Sequence, residues 1–366
     1  VKWQYPFVVI ILIVWACKKD PTSEPTTPFK TTPYEFPSIS NFRIAEIDTA
    51  NLLTKEGVDL GHQLFFDTRL SQNFTQSCSS CHEPEHGFSD ARQFSIGVDG
   101  TVGRRQGMSV LNLAWSKQFF WDGRAANLRE QALFPVADPT EMHLPWDEAV
   151  ERFQNHPKYL EKFKAAFGTE IITKELITKA LEQYMKALVV YNSPFDKYTR
   201  KEISLSEAEL RGYQIFNTEK GDCFHCHSTP ELMVHPSKTF SNNGLDFSDN
   251  TIGFKDNGLG EFTKNPNDNG NFKIPSLRNL DMTAPYMHDG RFTTLDEVID
   301  FYNDGPKMSP SLDPIMITEA NRRLLQFGRW GLGLTEQEKS DLKAFLLSFS
   351  DSTYLKDPLY KAPAGI

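Results

Sequence analysis

Cys78-Ser-Ser-Cys81-His82 and Cys223-Phe-His-Cys226-His227 decide how the rest of this chain is read. Cys-x-x-Cys-His is the attachment signature of c-type haem. The two thiols add across the haem vinyl groups, and the adjacent His sits under the iron as its proximal ligand. A structural zinc site and a redox dithiol are the competing uses of such a pair. Zinc wants its ligands gathered round one ion, and His82 and His227 are available for that. Neither alternative explains a His directly after both second cysteines. The reading is therefore two c-type haems, one on Cys78, Cys81 and His82 and one on Cys223, Cys226 and His227.

Upstream of the first motif stands Gly61-His-Gln-Leu64-Phe65, and upstream of the second Gly212-Tyr-Gln-Ile215-Phe216. Each reads as a short helix feeding a Cys-x-x-Cys-His, so one module is used twice. The fold class expected is mainly α: two cytochrome c-like helical domains, each with one covalently bound haem, joined by long irregular loops. Ser206-x-x-Glu209 is a capping box opening the helix before the second motif. Residues 173–190 place Leu176, Ile177, Ala180, Leu181, Tyr184, Met185 and Leu188 on one helical face. Thr294-x-x-Glu297 opens another helix to about Tyr302, and Thr335-x-x-Glu338 a last one through Phe349. Residues 228–275 are rich in Gly, Asn, Asp and Pro and read as loop; no strand pattern is convincing. With Asn192-Ser-Pro-Phe195 as the junction, the domains run over 41–198 and 199–366.

The start of the chain reads differently. Lys2, the apolar run Phe7–Trp15 and small Ala16 before Cys17 look like a lipoprotein-type signal over 1–16, with Cys17 as the lipidated residue. A plain secretory signal is the alternative; the run is too short to span a bilayer comfortably. Residues 17–40, rich in Pro, Thr and Ser, form a tether. The expected location is the periplasm or cell envelope, with membrane contact only through the lipid. A net charge of −9 argues against nucleic acid and permits a basic protein partner.

Further segments carry a resemblance. Leu60-Gly-His-Gln-Leu-Phe-Phe-Asp67, Phe120-Trp-Asp-Gly-Arg-Ala-Ala126, Gln131, Glu141-Met142, Ser193-Pro-Phe-Asp-Lys-Tyr198, Pro275-Ser-Leu-Arg-Asn279 and Pro285-Tyr-Met-His-Asp-Gly290 occur in family order from about residue 50 to 350. In combination they resemble the bacterial dihaem cytochrome c peroxidases and their MauG-like relatives. The resemblance implies a peroxidatic haem at His82 and an electron-transfer haem at His227. It implies that Trp121 lies between them as an electron relay, and that Gln131 and Glu141 form the distal polar pair, with Pro135 lining the pocket. Such a pair suits the chemistry, because splitting the O–O bond needs a proton moved from one oxygen to the other.

Two departures from the peroxidase-type pattern matter. Where many members have a loop His that caps the peroxidatic iron, Val98 stands here, and His86 reads as loop surface. An open iron needing no reductive activation follows. Fourteen residues after His288, where Met is usual, stands Tyr302, as in MauG-like members; Met308 and Met287 are the alternatives. Phenolate favours ferric iron and thioether the reverse. The family also implies one calcium ion, held at Gln106, Thr283 and Pro285, and a homodimer by analogy.

Three functions compete. The first is reduction of hydrogen peroxide to water with electrons from a small cytochrome c or cupredoxin. The second is MauG-like, peroxide-dependent oxidation of a protein side chain, favoured by Val98 and Tyr302. The third is a non-catalytic dihaem electron carrier, which needs two six-coordinate irons. The first is preferred, since nothing in the sequence names a protein substrate.

Overall fold

The computed structural model describes residues 1–3, 29–234, 236–247, 253–328 and 330–365. Contacts divide the chain into Val1–Lys30 and Thr31–Ile366, and every element below lies in the second unit. The apolar run Phe7–Trp15 and Cys17 fall outside the described residues. Among those described, no helix is long and apolar enough to cross a membrane.

The fold is mainly α. Its helices are α1 (Lys55–Phe66), α2 (Leu128–Ala137), α3 (Trp146–Gln154), α4 (Pro157–Phe167), α5 (Lys174–Ala187), α6 (Pro194–Thr199), α7 (Glu207–Phe216), α8 (Leu259–Thr263), α9 (Leu295–Asp304) and α10 (Glu336–Leu347). Side-chain caps set their starts. The Thr54 and Thr173 hydroxyls accept from the N–H groups of Gly57 and Leu176, and the three expected capping boxes open α7, α9 and α10.

The repeated sequence module is a repeated packing unit. Helix α1 packs on α5, and α7 on α10. Gly61 and Gly212 hold equivalent places and permit both crossings. A Cβ on Gly61 would overlap the Ala180 carbonyl oxygen, and one on Gly212 the Asp341 carbonyl oxygen. Around the first crossing Leu60, Leu64, Phe65, Ile177, Leu181 and Tyr184 build one core. Around the second, Ile215, Phe216, Leu342, Phe345 and Leu346 build another. Residues up to Val190 join the first and Phe195 joins the second, while Tyr354 and Tyr360 return to the first. The returning tail is tied in by hydrogen bonds: Tyr354 Oη donates to the Pro84 carbonyl at 2.6 Å and Tyr360 Oη to the Val189 carbonyl at 2.8 Å.

At the start of α6 the buried Asp196 meets Arg278 through two bonds of 2.6 and 2.9 Å. The same guanidinium donates to the backbone carbonyls of Pro230 and Glu231, so the pair is fully hydrogen-bonded.

The stretch 228–275 is mostly irregular but holds α8 and two strands, β1 (Phe240–Ser241) and β2 (Phe272–Lys273), paired antiparallel with Phe240 opposite Lys273. Sequence reading finds no strand here because two residues are too short to show alternation. Partners over thirty residues apart set the pairing.

Candidate haem-binding sites

Both Cys-x-x-Cys-His segments form the same turn. Cys78–Ser80 and Cys223–His225 are each one turn of 3-10 helix. The His82 N–H donates to the Cys78 carbonyl at 3.0 Å and the His227 N–H to the Cys223 carbonyl at 2.9 Å. His82 Nδ1 lies 3.1 Å from the Phe88 carbonyl oxygen, and His227 Nδ1 lies 2.6 Å from that of Met233. Phe88 and Met233 both hold left-handed backbone, φ 54° and 53°. An Nδ1–H donated to a backbone carbonyl fixes the ring and leaves Nε2 as the metal ligand.

The competing uses of the cysteines do not fit. All four thiols are free. Burial pushes those of Cys78 and Cys223 up to about 12, whereas a redox dithiol works through a lowered thiol pKa. Among the described residues, no cysteine joins a group of three side chains close enough to hold a metal ion.

A cavity adjoins each motif. The first, about 2240 Å³ counting its open mouth, is lined by Cys78, Cys81 and His82 and by Gln131, Pro135 and Glu141. The second, about 1940 Å³, is lined by Cys223, Cys226 and His227 and by Met287 and Tyr302.

Local structure gathers the polar groups of the first cavity. Gln131 and Pro135 are four apart on α2 and share a face. After α2 the chain folds back: the Pro135 carbonyl accepts from the Met142 N–H at 3.0 Å, and the Val136 carbonyl from the Leu144 N–H at 2.7 Å. That return brings Glu141 to the cavity that Gln131 lines. Burial, then the neighbouring Asp138 carboxylate, push Glu141 up to about 7. Such a carboxyl exchanges its proton at neutral pH. Among the described residues, His82 is the one histidine lining this cavity. Val98 does not line it; its N–H donates to the Glu141 carbonyl at 2.9 Å. His86 stays at the surface, its side chain 43% exposed.

The two cavities share a wall. Gln106, Met108, Ser109, Leu113, Trp121 and Lys273 line both. Trp121 is buried; its indole N–H donates to the Gln106 carbonyl at 2.8 Å, and its ring meets His288 edge-on at 6.5 Å.

Comparison with known proteins agrees with this geometry. The family model for di-haem cytochrome c peroxidase matches residues 55–204. The methylamine utilization protein MauG of Methylorubrum extorquens is 38% identical over 302 residues, 81% of this chain and 79% of that protein. This chain belongs to the di-haem cytochrome c peroxidase family. The cytochrome c551 peroxidase of Nitrosomonas europaea is 36% identical over 69% of this chain and 75% of that one. Among solved structures, a MauG-like protein associated with microbial copper homeostasis superposes with a TM-score of 0.79. It is 33% identical over 90% of this chain and 99% of that one.

As a di-haem peroxidase, the chain carries two haems. In the second cavity, Tyr302 Oη accepts from Asn243 Nδ2 at 3.1 Å, and Met287 Sδ lies 3.9 Å from the same nitrogen. Burial pushes the Tyr302 phenol up to about 12. Met308 is 52% exposed and does not line the cavity, so the structure gathers Tyr302 and Met287 near His227 and leaves Met308 outside. Gln106, Thr283 and Pro285 all line the second cavity, and the Gln106 side-chain amide donates to the Asp90 carbonyl at 3.1 Å.

Some lining residues escaped sequence reading. Arg105, lining the first cavity, is gripped by Asp122 at 2.6 Å and Asp256 at 2.8 Å, and Arg124 stacks on Phe120 at 3.6 Å while also pairing with Asp122. Asp122 and Arg124 fall within the quoted segment 120–126, which held the signal. Asn243 and Lys273 lie in the stretch read as loop, where no pattern marks them.

Proposed function

We propose that this peroxidase reduces hydrogen peroxide at the His82 cavity: one peroxide, two electrons and two protons give two waters. Haem, when bound, supplies the redox-active iron and its open coordination position. The observation that carries the reading is the grouping of Gln131 and Glu141 in a cavity whose single histidine among the described residues is His82, with Glu141 poised near neutrality. Gln131 holds peroxide by hydrogen bonds. Glu141 takes the proton from the near oxygen and returns it to the departing one. Trp121, on the wall common to both cavities, carries electrons from the His227 side to the His82 side. Tyr302 would help hold the haem iron on the His227 side, with Met287 second.

Finer assignments belong to the same proposal. The donor is a small reduced cytochrome c or cupredoxin, and the net charge of −9 suits a basic one. The protein works in the periplasm or cell envelope, held by a lipid on Cys17, since c-type haem is attached outside the cytoplasm. One calcium ion sits at the Gln106 side-chain amide and the backbone oxygens of Thr283 and Pro285, all hard donors, and the chain forms a homodimer. Each lobe carries one haem, divided at 198/199, with the tail crossing back to the first lobe.

Steady-state peroxide consumption with reduced cytochrome c tests the reading, together with low-temperature EPR of the oxidised protein. Brisk turnover and one high-spin iron are expected. Two low-spin irons in both redox states, with no turnover, would leave an electron carrier. Tyr302 lining the second cavity while Met308 stays out favours one second reading, oxidation of a protein side chain as in MauG-like members. Poor steady-state turnover, with a peroxide-dependent mass change in a co-expressed partner protein, would establish it.

A further inference from the structure

Among the described residues, the wall between the cavities holds one charged residue, Lys273. It is placed with care: its backbone N–H donates to the Trp121 carbonyl at 2.8 Å, and β1 pairs it with Phe240. Other cations reach these cavities, but they are already engaged. Arg105 is bound by Asp122 and Asp256, Arg124 by Asp122, Arg104 by Glu261 and Arg278 by Asp196. Lys264 is exposed and lines the first cavity only. Lys273 has no carboxylate partner among the described residues, and enclosure pulls its ammonium down to about 8. Lys273 is half-buried on this wall, and an unpaired ammonium drawn out of water is costly unless an anion meets it. Each haem brings two propionate carboxylates, so a two-haem chain delivers such anions to both sides of this wall.

We propose that Lys273 is the shared counter-ion of the two haems, its ammonium donating to one propionate from each across the common wall. It is a positioning residue rather than a catalytic one. The inference rests on both cavities holding haem and is independent of whether peroxide is the substrate. A fixed positive charge beside both rings favours the ferrous form of each, so its removal lowers both potentials together. In Lys273→Met, with both haems still covalently attached by haemochrome assay, spectroelectrochemistry should show both midpoints fall. Each should fall by at least a tenfold change in the reduced-to-oxidised ratio, about 59 mV for a one-electron couple. Lys273→Arg should restore both nearly to the wild-type values. Two unmoved midpoints, or a fall in only one, would overturn the proposal. If the Met variant does not accumulate, resonance Raman decides between wild type and Lys273→Arg. Propionate bending modes of both haems should shift, and a shift in neither or in one alone would overturn it. Absence of peroxide turnover in the wild type, with both midpoints behaving as expected, would count against the peroxidase reading only.

Discussion

Glu141 sits where a carboxyl can trade a proton near neutrality because burial and Asp138 both oppose its ionisation. Acting as base, it must be deprotonated. Peroxide turnover should therefore climb as pH rises through about 7 and level off above it. A kcat/KM profile checks this, since it reports the free enzyme. Glu141→Gln should keep both haems, lose that limb and turn over about 10²–10⁴-fold more slowly; near-normal rates would remove the role. On the far side, Tyr302→Met exchanges a hard anionic donor for a thioether and should raise the potential of the His227 haem. An unchanged potential and spectrum would move the ligand assignment to Met287. The repeated turn that sets Cys78, Cys81 and His82, and Cys223, Cys226 and His227, at the two cavities was legible in the sequence because each motif is a contiguous pentapeptide. Gln131 and Glu141 were legible only through the resemblance, for their meeting depends on the chain's return after α2. Lys273 was invisible, because its meaning lies in which cavities flank it.

At the scale of elements, legibility followed the range of the forces involved. Caps are local, so Ser206, Thr294 and Thr335 announced their helices, and α5 begins at Lys174 just after its cap Thr173. Strands β1 and β2 depend on partners far apart in the chain and left no trace in its pattern. The crossings of α1 with α5 and α7 with α10 turn on single glycines. Gly212→Ala forces a methyl against the Asp341 carbonyl and should cost about 1–3 kcal/mol as overpacking. Thermal unfolding of the haem-loaded protein measures it. An unchanged midpoint would mean that the helices separate without penalty.

For the whole molecule, two long-range ties stand out. Arg278 holds the Asp196 carboxyl below its usual range. A lowered carboxylate pKa contributes stability that is full above the unfolded value, near 4, and is lost as pH falls toward the folded one. Acid unfolding should thus set in below about pH 4. Asp196→Asn should destabilise the native protein by about 3–5 kcal/mol at neutral pH, since it strands a buried guanidinium; chemical denaturation compares the two. The second tie is the tail. Deleting residues 353–365 removes Tyr354 and Tyr360 from the first core, each a loss of roughly 1.5–3 kcal/mol of burial. It should loosen the His82 lobe while sparing the His227 lobe, which limited proteolysis can distinguish. The two-core plan was foreseen from the doubled module, but the tail's return was not, because Tyr354 and Tyr360 carry no motif.

That return also imposes a schedule. Pro84 leaves the ribosome 270 residues ahead of the Tyr354 hydroxyl that will bind it. Translation therefore delivers the first Cys-x-x-Cys-His motif long before the two tyrosines that complete the core of its lobe. The core around His82 waits for those tyrosines until synthesis has passed residue 360.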